Sequence, residues 1–138
     1  MDIIIDDSNT LLEVQKKFSK HFLYLKLEFF GFETNDEKVF SKENMIKDLN
    51  KTIGEVRHHH LRGHVSINGQ QKVSTLENHF RENFGINVQV FRKSGNAWLQ
   101  TIATDDWTLA EQNKKGEEMN ESIVADAIDD NDSLHEQP

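Results

Sequence analysis

Two stretches of the chain carry the same apolar spacing 62 residues apart. Leu11, Val14, Phe18 and Phe22 stand at i, i+3, i+7 and i+11, and Val73, Leu76, Phe80 and Phe84 repeat that pattern. Residues so spaced fall on one face of an α-helix. The chain must therefore place two amphipathic helices, each with two phenyl rings on its apolar face, against something that buries them.

The flanks repeat as well. Ile3 and Ile5 precede the first helix as Val65 and Ile67 precede the second. Leu25, Leu27 and Phe29 follow the first as Ile86, Val88 and Val90 follow the second, now 61 residues apart. Alternating apolar and β-branched residues predict strands. The lost residue falls at Gly85, which can close a helix in a tight turn. Hairpins are expected next: Gln89–Lys93, a Ser94-Gly95 turn and Ala97–Ile102 in the second unit, and Glu28–Phe32 with Val39-Phe40 in the first. A helix is expected after each hairpin. In the first unit it spans Lys42–Arg57, on the stripe Met45, Ile46, Leu49, Ile53 and Val56. In the second it is one or two turns starting at the capping-box pattern Thr108–Glu111. The fold expected is α+β: duplicated β-α-β-β(-α) units (1–57 and 63–109) forming one domain (1–109), helices packed on a mostly antiparallel sheet, with ferredoxin-like character.

Charge divides the chain differently. Residues 1–103 hold 14 Lys/Arg and 13 Asp/Glu, whereas residues 104–138 hold 2 and 11. The body is almost neutral and the acidity sits at the C-terminal end. Residues 110–138 combine low hydrophobicity with high charge and predict a disordered acidic tail. Within it Ile123, Val124, Ala127 and Ile128 form a small apolar island. The chain has no cysteine, which removes disulfides, thiolate metal sites and a Cys nucleophile. Its apolar runs are far shorter than a membrane span, and the acidic N-terminus does not read as a secretory signal. The expectation is a cytoplasmic protein without membrane partners.

Motifs that carry chemistry are sparse. In His58-His59-His60-Leu61-Arg62-Gly63-His64, His60 and His64 have the i, i+4 spacing that places two imidazoles on one helical face for zinc. Gly63 and the lack of a nearby third ligand favour a polar helix end instead. The chain has no nucleophile elbow and no Gly-rich phosphate loop, so neither a catalytic residue nor a cofactor is assigned, and an enzyme is the least favoured class.

A second candidate is the outer sheet face. If Ile86, Val88 and Val90 point inward, Phe91 and Lys93 point outward, with Trp98 facing Phe91 across the hairpin and Phe30 in the equivalent place of the first unit. Lys26, Arg57 and Arg62 are the nearby cations. Aromatics on an open sheet can stack on bases. The near-neutral body and the expected covering helices favour a structural role or a protein partner.

The run Val90-Phe91-Arg92-Lys93-Ser94-Gly95-Asn96-Ala97-Trp98-Leu99, with Thr104-Asp105-Asp106-Trp107-Thr108-Leu109, resembles a segment of a family of small bacterial proteins of unassigned function. The resemblance covers mainly the second half. It implies a bacterial cytosolic origin and transfers no activity. The reading that follows is a protein-interaction or regulatory module that binds a protein partner or self-associates. The alternative is nucleic-acid binding by the outer sheet face.

Overall fold

The computed structural model describes residues 1–32 and 38–132, with side chains described as far as residue 120. It is an α+β fold with strands β1 (Asp2–Ile5), β2 (Leu25–Phe30), β3 (Gly63–Ser66), β4 (Asn87–Ser94) and β5 (Ala97–Gln100), and helices α1 (Leu11–His21), α2 (Val73–Phe84) and α3 (Leu109–Asp132). The strands divide into two antiparallel sheets, β1-β3 and β2-β4-β5, not the single sheet expected. A ferredoxin-like sheet would hydrogen-bond all the strands together. Here each strand entering a helix pairs only with its counterpart in the other unit.

The helical stripes are where the spacing placed them. Leu11, Val14, Phe18, Phe22, Val73, Leu76, Phe80 and Phe84 are all buried, in one cluster with Ile3, Ile5, Leu25, Leu27, Val65, Ile67, Val88 and Val90. Thr10 starts α1 with a complete capping box on Glu13. Gly85 ends α2 in the left-handed conformation (φ 67°) that a side chain would strain.

The two units are wired alike. Ile3 pairs with Val65 and Glu28 with Gln89, and both registers map onto themselves when the units are exchanged. The Thr10–Thr52 bridge has its counterpart in Lys72–Thr108. Leu11 N–H donates to Lys51 O and Val73 N–H to Trp107 O; Ile53 N–H donates to Asn9 O and Leu109 N–H to Gln71 O. Thr52-Ile53-Gly54-Glu55 and Thr108-Leu109-Ala110-Glu111 are the matching sequence, both closed by side chain–backbone capping bonds.

Three elements differ from expectation. The helix over Lys42–Arg57 is absent, and two short 3-10 turns, Lys42–Asn44 and Ile53–Val56, take its place. The backbone between them is used elsewhere: Ile46 N–H donates to Phe29 O, Asn44 O accepts from Gly31, and Leu49 O accepts from Leu12. Ile46, Leu49 and Val56 still pack against the core, and Ile53 is fully buried. Asn44, Asp48, Asn50 and Gly54 are weak helix formers, so tertiary bonds outcompete the helix. The first hairpin is also absent. Phe30 bridges Met45, residues 38–40 form no strand, and residues 33–37 of the expected loop 33–38 lie outside the described residues.

The third difference is α3, which runs well beyond two turns. Leu109 and Gln112 are buried, Tyr24 N–H donates to Asn113 Oδ1 at 2.9 Å, and a Cβ on Gly116 would lie 2.7 Å from Tyr24 Cβ. The first part of the segment read as tail is therefore seated on the body. The expected disorder further along falls on side chains after residue 120, and on all atoms after 132, outside the described residues.

Candidate binding surface at the edge of the three-stranded sheet

The three-stranded sheet has two edges, and they are treated differently. On β2, each carbonyl that faces away from β4 has a partner. Ser19 Oγ donates to Leu25 O at 2.9 Å, Gln15 Nε2 to Leu27 O at 2.8 Å, and the Ile46 amide to Phe29 O at 2.8 Å. On the small sheet one outward carbonyl of each strand has a side-chain donor, Asn9 Nδ2 on Ile4 O and, at 3.5 Å, Gln71 Nε2 on Ser66 O. On β5 the ladder to β4 pairs Lys93 with Trp98 and Arg92 with Leu99. The two-residue turn Gly95-Asn96 (Gly95 φ 61°) sets the alternation, so the N–H and C=O groups of Trp98 and Gln100 face away from β4. Among the described residues nothing bonds them.

The turn lies one residue later than the sequence pattern places it. Phe91 therefore faces Gln100, and Trp98 is its diagonal neighbour opposite Lys93. A shift of this kind moves the pairing by two residues and keeps every side chain on its face.

Of the outer-face aromatics, Phe30 and Phe91 are buried, at 2% and 7% exposure. The Phe40 ring stands edge-on to Phe30 with centroids 5.2 Å apart. Met45 and Lys42 line a groove of about 320 Å³ with Phe91, Trp98, Leu99 and Gln100. Trp98 is half-buried beneath two ammonium groups: Lys26 Nζ is 4.7 Å and Lys93 Nζ 5.6 Å from its ring centroid. Lys26 also pairs with Glu28 at 3.4 Å. The opposite face of β5 presents Leu99, 43% exposed, next to Arg92. Arg92 lies over Trp107 at 5.7 Å and donates to Gln112 Oε1 at 2.9 Å.

Where β5 ends, Glu77 of α2 replaces it. Thr101 still donates to Val90 O, while the Val90 amide donates to the Glu77 carboxylate at 2.9 Å. Burial pushes the Glu77 pKa up to about 7, the Val90 amide opposes the rise, and nearby Asp105 adds to it. The equivalent position in the first unit is Gln15, which caps β2.

The remaining sequence candidates sit elsewhere. Arg57 is buried and away from the sheet face. Its guanidinium meets Asp7 Oδ1 at 2.8 Å and donates to Phe84 O at 3.1 Å, at the negative end of α2. This is a tie between the units, not a phosphate site. Arg62 is solvent-exposed and pairs with Asp6 at 3.2 Å. His60 Nδ1 lies 2.7 Å from Asp7 Oδ2, and His64 is on β3 opposite Ile4, so no helix sets the two imidazoles on one face. Among the described residues no three His, Asp or Glu side chains are grouped as a metal site would require. Sequence reasoning missed Glu77, Lys42 and Leu99. The signals available were an acidic residue facing the strand side of a helix and an apolar residue on both faces of a terminal strand.

No protein-family model, curated protein or solved structure matches the chain. No helix among the described residues is long and apolar enough to cross a membrane.

Proposed function

We propose that the protein is a non-enzymatic interaction module that takes up an extended segment of a protein partner by adding it as a strand to β5. The supporting observation is the contrast between the two edges of one sheet: the outward carbonyls of β2 are bonded by Ser19, Gln15 and Ile46, while neither the carbonyls nor the amides of Trp98 and Gln100 that face outward have a partner among the described residues. An uncapped edge flanked by the exposed Leu99 and half-buried Trp98 has the backbone and side-chain chemistry of strand addition. A cytosolic setting belongs to the same proposal.

Self-association through β5 is a special case and predicts a dimer in sedimentation. Base stacking is less well supported, because Phe30 and Phe91 are covered and the Trp98 ring is occupied by lysines. The test is to select displayed peptides on the wild-type protein and re-probe them on two variants. Gln100→Pro removes one outward N–H without touching the ladder to β4, whereas Gln100→Ala keeps it. Binders lost with Pro and retained with Ala support the proposal. Binders indifferent to Pro overturn it.

A further inference from the structure

The partner's chemistry can be read from what its strand would meet. A strand paired to β5 places the residues opposite Trp98 and Gln100 on the outer face, and the residue opposite Leu99 on the inner face. On the outer face Lys93 and Lys26 hold their ammonium groups over Trp98, and Lys42 lines the adjoining groove. Among the described residues Glu28 is the one carboxylate ion-paired there, with Lys26, so three lysines stand beside one paired glutamate. On the inner face the neighbours are exposed Leu99 and the Trp107 ring under Arg92.

We infer that the preferred partner segment alternates acidic and apolar residues, its carboxylates directed to Lys26, Lys42 and Lys93 and its apolar side chains to Leu99 and Trp107. The inference rests on the strand-addition reading of β5. A second copy of β5 does not meet the requirement, because it brings Trp98 and Gln100, not carboxylates, to the outer face. Lys26 and Lys93 supply selectivity as much as affinity, since a basic segment would bring its charges beside the ammonium groups held over Trp98.

The test titrates the full chain, followed by tryptophan fluorescence, with four probes. These are short end-capped peptides of alternating glutamate and valine, lysine and valine, or glutamine and valine, and oligothymidylate. The acidic peptide should bind about tenfold or more tighter than the basic one at low salt, with the gap closing as salt is added. The double variant Lys26→Gln, Lys93→Gln should lose the gap, and Gln100→Pro should lose all three peptides. Equal binding of acidic and basic peptides overturns the charge preference and leaves strand addition standing. Undiminished binding to Gln100→Pro overturns strand addition itself. Oligothymidylate binding without peptide binding assigns the face to nucleic acid, and no binding by any probe overturns the inference.

Discussion

Glu77 accepts the Val90 amide where β5 runs out, and its burial raises its pKa from 4.5 to about 7. A raised carboxyl pKa means the folded state holds the proton more tightly than the unfolded chain. The associated stability is complete below about pH 4.5 and is lost as pH climbs through about 7, a swing of about 3 kcal/mol. Glu77→Gln keeps an oxygen for the Val90 amide and has no proton to lose. Urea denaturation should show wild-type stability falling from about pH 5 to about pH 8 while the variant stays level and is the more stable at the upper end. Identical profiles would contradict the assignment. Arg57 is the other residue with an outsized role. Arg57→Ala leaves the Phe84 carbonyl without its donor and Asp7 with only His60 and water, and should cost about 2–4 kcal/mol by the same measurement, with Lys a poor substitute for a guanidinium that reaches both. Neither residue's role was legible in the sequence. Arg57 reads as a surface cation until the chain places it between Asp7 and the end of α2.

Elements repeat their logic across the two units, so equivalent deletions should have equivalent costs. Phe18→Ala and Phe80→Ala each empty a fully buried ring site and should each destabilise by about 3–5 kcal/mol. A large inequality would mean the two helices do not carry the core alike. α3 makes a sharper case. Gly116→Ala improves intrinsic helix propensity by about 1 kcal/mol, yet the added methyl meets Tyr24 Cβ at 2.7 Å. Thermal melting should show the variant less stable than wild type; a gain in stability would mean α3 does not sit on Tyr24. The helical stripes α1 and α2 were legible because a single periodicity and a single burial decision fix them. The segment 42–57 was not, because its apolar residues have helical spacing while its backbone amides and carbonyls are taken by Phe29, Gly31 and Leu12. α3 was under-read because one buried leucine, one buried glutamine and a glycine contact leave almost no stripe to detect.

At the scale of the molecule, the fold is two βαβ units that exchange strand partners. The registers and the bonds around Thr52 and Thr108 match between the two units. The split into two sheets was invisible in the sequence, because alternation specifies which face of a strand is buried and not which strand lies beside it. The binding surface was half legible. Phe91, Trp98, Lys93 and Phe30 do share a face, but the covering residues Phe40 and Met45 come from a segment expected to be hairpin and helix. The open edge of β5 stands on the sheet whose other edge has its outward carbonyls bonded, and it carries the functional account. Amide hydrogen exchange read residue by residue, with and without the alternating glutamate–valine peptide, tests it most directly. The Trp98 and Gln100 amides should exchange quickly in the free protein and become protected on binding, with those of β2 unchanged. Slow exchange at Trp98 and Gln100 before any peptide is added, or protection appearing elsewhere, would contradict it.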